Sequence, residues 1–394
     1  MHYEFSNKIK NLKPSAIREI FKYASDPSVI SLSAGNPSPD SFPVEKISGI
    51  VNEIFKQNPV CALQYSITEG YTPLRDMLKT YLNSKYSIGK EHDELIITSG
   101  AQQVIDLSTK TLCNDGDVVI CESPSFIGAL NTFRSYNVNL CGIPMQSDGI
   151  DLENLENALK TQSNVKFIYT IPNFQNPSGT TMSYNKRKTL YEIAKKYSVL
   201  ILEDNPYGDL RYKEKDIPSI KSLDEDGIVI YAGTFSKTLS PGLRIGYAVA
   251  PKELIQKMVV CKQGQDVHSN ILSQMIVYKF LKKYDLDKHI KEINDLYKKK
   301  LELTSTLLNR YMSPNIKYNI PDGGLFIWCT LPESINMLDY CKQAVMKKVC
   351  VVPGNAFLPN ENEVSHSFRI NFSTPTNEDL SRGIQILGSL INKF

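Results

Sequence analysis

The sequence lacks long hydrophobic runs, a charge excess of either sign and a secretion-type start. No stretch approaches the roughly 18 apolar residues that span a bilayer. The 394 residues carry 45 basic and 42 acidic side chains, a formal net charge of +3. Near balance argues against electrostatic binding of nucleic acid or an anionic membrane surface. The first fifteen residues, MHYEFSNKIKNLKPS, contain no apolar segment typical of a signal peptide. We therefore predict a soluble, cytoplasmic protein.

The few cysteines and histidines follow no recognisable binding pattern. Eight cysteines are scattered without a C-x-x-C pair, and most lie in apolar runs, which predicts reduced thiols in a core. The five histidines are too dispersed for a zinc motif, so no metal site is expected. Motifs of P-loop nucleotide binding, dinucleotide binding and the nucleophile elbow are also missing.

Apolar runs that alternate with helical patterns indicate an α/β fold. ELIITSG, DVVICES, NVNLCGIPM, VKFIYT, VLILEDN, GIVIYAGT and RIGYAVAP read as buried strands, separated in several places by amphipathic stretches such as AQQVIDLSTKTL. This alternation predicts a large domain with a mostly parallel, seven-stranded sheet covered by helices, and a smaller α+β domain. The expected boundaries are an N-terminal helix and arm (1–45), the large domain (46–283) and a C-terminal small domain (284–394).

Polar residues follow several of the predicted strands at their carboxyl ends. Lys237 lies beyond one strand beside Thr234 and Ser236, with Arg244 seven positions further on. A lysine amine forms imines with aldehydes, and hydroxyl and guanidinium groups bind phosphate. A single lysine is usually a solvated surface residue. Lys237 is a candidate site residue because of the hydroxyl and guanidinium groups near it in the sequence.

Three earlier segments add complementary groups. VLILEDNPYGDL brings Asp204 and Tyr207 to a strand end, and PNFQNPSG brings Asn176. SGAQQ is a tight turn before a helix, where the amides of Ala101 and Gln102 form an anion site. Each segment alone is explained by ordinary turn chemistry. Together they supply the phosphate ligands, amide, carboxylate, phenol and amine that a pyridoxal 5′-phosphate (PLP) site requires.

The sequence resembles the class I/II aminotransferases of PLP fold type I nearly end to end. The matching motifs are SGAQQ at 99–103, PNFQNPSG at 172–179, EDNPYGDL at 203–210, SKTLSPGLRIGY at 236–247, PDGGLFIW at 321–328 and FRINFS at 368–373. The string SK-x-x-x-PG-x-R-x-G, in order with the others, is highly specific.

The resemblance implies a role for each site residue. Lys237 holds the cofactor as an internal aldimine and carries the proton of a 1,3-shift, while Asp204 keeps the pyridine nitrogen protonated. Arg369 clamps the substrate α-carboxylate. The remaining implied contacts are Asn176 and Tyr207 to the ring hydroxyl, Phe126 stacked on the ring, and Ala101, Gln102, Thr234, Ser236 and Arg244 to the phosphate. Many relatives carry tyrosine at the Phe126 position, so stacking is kept but a hydroxyl is missing.

The N-terminal region resembles the 2-aminoadipate and kynurenine aminotransferase subgroup. In that subgroup the arginine matching Arg18 meets a side-chain carboxylate, and the tyrosine matching Tyr65 reaches the partner subunit's phosphate, which implies a homodimer. Asn176 and Gly35 would also approach the substrate. Arg18 is otherwise a solvated helix residue, and Gly35 a turn glycine.

The resemblance predicts transfer of the amino group of 2-aminoadipate, an aromatic or a branched-chain amino acid to a 2-oxo acid such as 2-oxoglutarate. Two alternatives remain open at this stage. A C–S lyase would use the same fold and cofactor for β-elimination, and a GntR-like regulator would use the domain as a sensor. The regulator requires a DNA-binding domain that this sequence does not display.

Overall fold

The computed structural model describes residues 3–10, 26, 28–213 and 215–391. Its largest element is an eight-stranded sheet in the order β2-β9-β8-β7-β6-β3-β4-β5. The strands are β2 (Asp93–Thr98), β3 (Val118–Ser123), β4 (Asn139–Gln146), β5 (Gly149–Ile150), β6 (Val165–Thr170), β7 (Leu200–Asp204), β8 (Val229–Thr234) and β9 (Gly246–Pro251).

The centre of this sheet is parallel, as predicted. Strands β8, β7, β6, β3 and β4 pair in parallel, whereas β2, β9 and β5 each pair antiparallel to their neighbours. All seven predicted runs are strands, so the fold class is confirmed, but the expected count of seven is wrong by one. The eighth strand, β5, has two residues and follows a reversal of the chain at Gly149, whose φ is +122°. It is too short to show a period of two.

Helices cover both faces of the sheet. The helix Ala101–Leu112 buries Val104, Ile105 and Leu107 on one face, and Tyr184–Lys196 buries Leu190 and Ile193 on the other. The remaining helices of this part of the chain are Val44–Gln57, Pro59–Leu63, Thr72–Tyr86, Ile127–Ser135, Leu152–Thr161, Lys252–Gln263 and Ile271–Lys283. Strands buried on two faces explain why these runs are continuously apolar rather than alternating.

A smaller sheet is built largely from the C-terminal third of the chain. Its order is β10-β11-β14-β13, with all pairs antiparallel. Those strands are β10 (Lys317–Tyr318), β11 (Phe326–Thr330), β13 (Val352–Pro353) and β14 (Ser367–Asn371). The helices Leu286–Tyr311, Met337–Met346 and Asn377–Ile391 accompany it. The division at 45/46 and 283/284 stays a prediction.

The N-terminal part of the described chain joins the smaller sheet region. A short helix spans Asn7–Lys10, and β1 (Ile30–Ser31) pairs in parallel with β12 (Val349–Cys350). The predicted helix around residues 15–24, which includes Arg18, lies outside the described residues. Within the described ranges, none of the helices combines the length and apolarity needed to cross a membrane.

Candidate active site

A cavity of about 380 Å³ lies at the carboxyl ends of the central strands, where the large sheet meets the smaller one. Parallel strands end at one edge, so polar residues that follow them in sequence converge there. The cavity wall includes the predicted site residues Gly35, Ala101, Gln102, Phe126, Asn176, Asp204, Tyr207, Thr234, Ser236, Lys237, Arg244 and Arg369.

Two predicted residues are not part of this wall. The Tyr65 side chain lies outside the cavity and is 82% exposed, with its ring 5.9 Å from that of His268. Arg18 falls outside the described residues. The predicted roles of both therefore stay predictions.

Lys237 presents its amine to the cavity from the turn that follows β8. Its Nζ donates to the carbonyl of Gly35 at 2.8 Å. Burial, followed by the positive charges of Arg369 and Arg244, lowers the pKa of Lys237 to about 8. Because the unprotonated amine is the nucleophile, this environment makes Lys237 more reactive toward a carbonyl than a surface lysine.

Asp204 is a buried carboxylate at the end of β7. Its Oδ2 accepts a hydrogen bond from the Tyr169 hydroxyl at 2.8 Å. Among the described residues, none forms a hydrogen bond with Oδ1. Burial raises the pKa of Asp204 to about 7, and the Tyr169 hydrogen bond offsets only part of that rise. A buried acceptor without a partner inside a cavity is suited to a cationic N–H donor brought by a ligand.

Arg369 projects from β14 toward the centre of the cavity. It donates to Asn176 Oδ1 at 2.7 Å and to the Ser33 carbonyl at 2.8 Å. Its guanidinium lies 4.0 Å from the ring centroid of Phe326 and 5.0 Å from that of Phe357. Burial lowers the pKa of Arg369 to about 10. Two aromatic rings flank this cation, and none of the described carboxylates pairs with it, so the cation is available for an anion.

Asn176 links Arg369 to the phenol of Tyr207. Its Nδ2 donates to the Tyr207 hydroxyl at 3.3 Å, while its Oδ1 accepts from Arg369. The preceding Gln175 fixes this turn by donating to Glu122 Oε2 at 3.0 Å and to the Pro124 carbonyl at 2.8 Å. One amide side chain is thus held between a cation and a phenol.

The opposite end of the cavity forms an anion cradle. The helix Ala101–Leu112 starts there with no side-chain cap, so its first amides face the cavity. Arg244 donates to Ser236 Oγ at 3.4 Å and to the Ser99 carbonyl at 2.9 Å. Gly100, at φ +82°, is required here because a Cβ atom would lie 2.4 Å from Arg244 Nη2.

Comparison with known proteins identifies the family. The sequence profile described as "Aminotransferase class I and II" matches residues 27–387. The chain belongs to this family. It is an aminotransferase, and the family relationship agrees with the fold and with the resemblance read from the motifs.

Similar proteins cover nearly the whole chain. Aromatic-amino-acid aminotransferase 1 of Thermococcus litoralis is 40% identical over 99% of this chain and 94% of its own length. The 2-aminoadipate transaminase of Thermus thermophilus is 34% identical, covering 98% and 95%. The crystal structure of Pyrococcus horikoshii kynurenine aminotransferase, in complex with PMP, superposes with a TM-score of 0.95 at 38% identity, covering 99% and 97%.

The cavity of this aminotransferase fits PLP, the cofactor of its class. Asp204 Oδ1 is an unused acceptor at one side, and Lys237 supplies an amine of lowered pKa. The cradle of Arg244 and Ser236 lies beside a helix N-terminus. The donor set therefore has the carboxylate, amine and anion ligands that a phosphorylated pyridine aldehyde needs.

Some residues of the site were not predicted from the sequence. Tyr169 holds Asp204, and Phe326 and Phe357 flank Arg369. Phe326 lies in the motif PDGGLFIW, which was recognised without a role for this residue. Phe357 has no local signal, because its contact with Arg369 depends on how the smaller sheet folds.

Cavity size alone would not identify the site. A second cavity, of about 390 Å³, shares only Thr234 with the first and has many tyrosines in its wall. Its charged groups have partners within the chain: Lys85 pairs with Asp287, and Asp209 accepts from the Tyr86 hydroxyl. In the first cavity, by contrast, Lys237, Asp204 and Arg369 form no ion pair with any of the described residues.

Proposed function

We propose that this aminotransferase uses PLP to move the α-amino group of an amino acid to a 2-oxo acid, with 2-oxoglutarate as acceptor. The observation that carries the proposal is a single cavity that holds the Lys237 amine, the Asp204 carboxylate, whose Oδ1 has no hydrogen-bond partner among the described residues, and the Arg369 guanidinium between two aromatic rings. The class to which the chain belongs uses PLP, which supports the cofactor assignment.

PLP, when bound, supplies an aldehyde that condenses with amines and a ring that withdraws electrons from the substrate Cα. Lys237 would bond that aldehyde at rest, and its freed Nζ would take the proton from the substrate Cα and return it to the former aldehyde carbon of the cofactor, on the far side of the substrate nitrogen. Asp204 would accept the N–H of the pyridine ring through Oδ1, and its negative charge would keep that nitrogen protonated. Asn176 and Tyr207 orient the ring hydroxyl, and Phe126 covers the ring face.

Arg369 binds the α-carboxylate in a bidentate pair, which fixes the substrate Cα relative to Lys237 Nζ. The amides of Ala101 and Gln102 hold the phosphate together with Ser236, Thr234 and Arg244. Because the phosphate of the cofactor and the α-carboxylate of the substrate would both be held, the substrate Cα would stay aligned with Lys237 Nζ while the substrate amine replaces the lysine. Gly35, which lines the cavity and whose carbonyl accepts from Lys237, would lie close to the bound substrate.

The donor we propose is an aromatic amino acid, 2-aminoadipate or a branched-chain amino acid. The cavity wall contains Ile127, Val352 and Phe357, which favour apolar side chains. The names of the similar proteins, which include aromatic-amino-acid, 2-aminoadipate and kynurenine aminotransferases, support the same range. Arg18 would add a partner for a side-chain carboxylate.

We further propose a cytoplasmic homodimer in which Tyr65 reaches the phosphate of the partner's site. The support is an exposed apolar group near Tyr65: Val60 is 73%, Leu63 74% and Ile67 49% exposed. Exposed apolar patches of this kind commonly mark protein interfaces.

The test is the visible absorbance of the purified, PLP-loaded protein during addition of single amino acids. We expect phenylalanine, kynurenine, 2-aminoadipate or leucine to remove the absorbance band, and 2-oxoglutarate to restore it. The Lys237→Ala variant is the control and should show no such cycle. A band that persists while cystathionine yields pyruvate and ammonia would contradict transamination and favour a C–S lyase.

A further inference from the structure

An ion pair between the buried Lys262 and the partly exposed Asp266 lies next to the anion cradle. The side chain of Lys262 is 0% exposed, and its Nζ lies 2.6 and 2.7 Å from the two carboxylate oxygens of Asp266. The same amine donates to Gln103 Oε1 and to Ser269 Oγ, each at 3.1 Å. Lys262 therefore joins the helix Lys252–Gln263 both to the cradle helix and to the segment 266–269.

The hydrogen bonds continue from this pair to Arg244. Gln103 Oε1, the acceptor of Lys262, also accepts from the backbone N–H of Ser99 at 2.8 Å. The carbonyl of Ser99 in turn accepts from Arg244 Nη2 at 2.9 Å. The Ser99 hydroxyl donates to Asp266 Oδ2 at 3.3 Å. Ser99 is thus held at its amide and its hydroxyl, and it presents a fixed carbonyl to Arg244.

Such a pair is poorly explained by stability alone. Taking the Lys262 charge out of water costs much of what its attraction to the partly exposed Asp266 returns, and ion pairs with a buried member are often replaceable by apolar side chains without loss of stability. An apolar side chain at position 262 could not, however, fix the orientation of the Gln103 amide. Gln103 accepts from Lys262 through Oε1 and donates to Asp266 through Nε2 at 2.9 Å, so the ion pair fixes which way its amide points.

We propose that Lys262 and Asp266 are positioning residues for the phosphate of the cofactor. They fix Gln103 and Ser99, and the Ser99 carbonyl then orients the Arg244 guanidinium toward the cradle. This inference rests on the proposed function, because it concerns the phosphate of PLP. The two residues act through Arg244 and do not touch the cofactor themselves.

The inference predicts an effect on the phosphate and not on the rest of the cofactor. The variants are Lys262→Met and Gln103→Met, which remove the ion pair and the amide link respectively. The probes are PLP and pyridoxal, which differ only by the phosphate, and the measurement is the dissociation constant of each from the apoprotein by equilibrium dialysis. We expect both variants to weaken PLP binding by about tenfold or more, because a hydrogen bond to a charged group is lost, and pyridoxal binding by less than about twofold.

A matched control is available at the other edge of the large sheet. Lys221 is also 0% exposed and bonds two carboxylates, Asp93 at 2.7 Å and Asp224 at 2.8 Å, and its hydrogen bonds to described residues include none to the cradle. Lys221→Met should lower thermal stability while leaving both dissociation constants within about twofold of wild type. An equal loss of PLP binding in Lys221→Met would overturn the inference, since the effect would then be one of general stability.

The outcomes separate this inference from the proposed function. A wild-type protein that binds PLP no better than pyridoxal would contradict the phosphate cradle itself. A wild type that prefers PLP, with unchanged preference in Lys262→Met and Gln103→Met, would overturn the positioning role alone. If Lys262→Met does not fold, the dissociation constants of PLP and pyridoxal for Gln103→Met decide whether the positioning role holds.

Discussion

Two clusters of buried charge lie at opposite edges of the large sheet and differ in how their charges are balanced. At the amino edge, the Lys221 ammonium bonds the carboxylates of Asp93 and Asp224 within 2.8 Å. At the carboxyl edge, within the part of the chain that the structure describes, Lys237 bonds only the Gly35 carbonyl, and Asp204 accepts only from Tyr169.

The difference lies in what each cluster costs the folded chain. The amino-edge charges are neutralised within the chain, so their burial is compensated. The carboxyl-edge charges face a cavity, and burial moves the pKa of Lys237 down to about 8 and that of Asp204 up to about 7. Burial without compensation is a feature of sites that bind ligands or perform chemistry, and it separates the candidate site from structural ion pairs.

The largest expected effect is that of Lys237→Ala. Without the amine that binds the cofactor and moves the proton, kcat should fall by at least about 10⁴-fold. The fold should persist, because burying the Lys237 ammonium is unfavourable and its removal therefore does not destabilise the folded state. Steady-state assays with 2-oxoglutarate and circular dichroism measure the two properties.

Lys221→Met is the counterpart of that variant, and we expect the opposite result: a loss of stability with kcat kept. Asp93 and Asp224 would lose their cation, so stability should fall by about 3–5 kcal/mol in urea unfolding. The kcat of the folded fraction should stay the same. A large loss of kcat in Lys221→Met, or none in Lys237→Ala, would break the distinction between the two edges.

Asp204→Asn should give the next largest effect, about 10²–10³-fold in kcat, because a neutral amide no longer keeps the ring nitrogen charged. The apoprotein should be no less stable than wild type above about pH 7, where the ionised Asp204 is buried at a cost. The sign follows from the raised pKa: the folded state binds the proton more tightly, so ionisation opposes folding.

The matched variant at the other edge is Asp224→Asn. Its carboxylate is bonded to Lys221 and to the N–H groups of Ile228 and Val229. Burial alone would raise the pKa of Asp224, but the Lys221 charge and these hydrogen bonds together outweigh burial and lower it. Loss of that charge should therefore destabilise the protein at neutral pH and spare kcat. Thermal unfolding of the Asp204→Asn and Asp224→Asn apoproteins tests these two predictions. Equal destabilisation of the two variants would contradict them.

The smallest effect concerns pH. The rate at which the apoprotein takes up pyridoxal should rise with pH through about 8, the pKa of Lys237, and not continue to rise up to the ordinary lysine value of 10.5. Arg369→Met should shift this midpoint upward, because the Arg369 charge is one cause of the lowered pKa. Stopped-flow absorbance gives both profiles, and an unshifted midpoint in Arg369→Met would show that the Arg369 charge does not lower the pKa of Lys237.

The sequence was most informative where chain order and spatial order coincide. Asn176, Asp204 and Lys237 follow successive parallel strands, and parallel strands end at one edge, so their meeting in a cavity was predictable. Lys262 was not: it is one of 45 basic residues, and its contact with Gln103 joins segments 159 residues apart. Tyr169 lies on a predicted strand, but the sequence pattern of a buried strand does not show which residue of a neighbouring strand its hydroxyl bonds, so its contact with Asp204 was not predicted.

The position of Trp328 has an optical consequence. It is the only tryptophan of the chain, and its ring packs edge-on against Phe357 at 5.7 Å, while Phe357 borders both the cavity and Arg369. With no other indole to contribute, the tryptophan fluorescence of the protein comes from a point one side chain away from the carboxylate-binding arginine. Emission from this native fluorophore should therefore change when a substrate carboxylate arrives, so binding can be followed without a label and before any chemistry occurs.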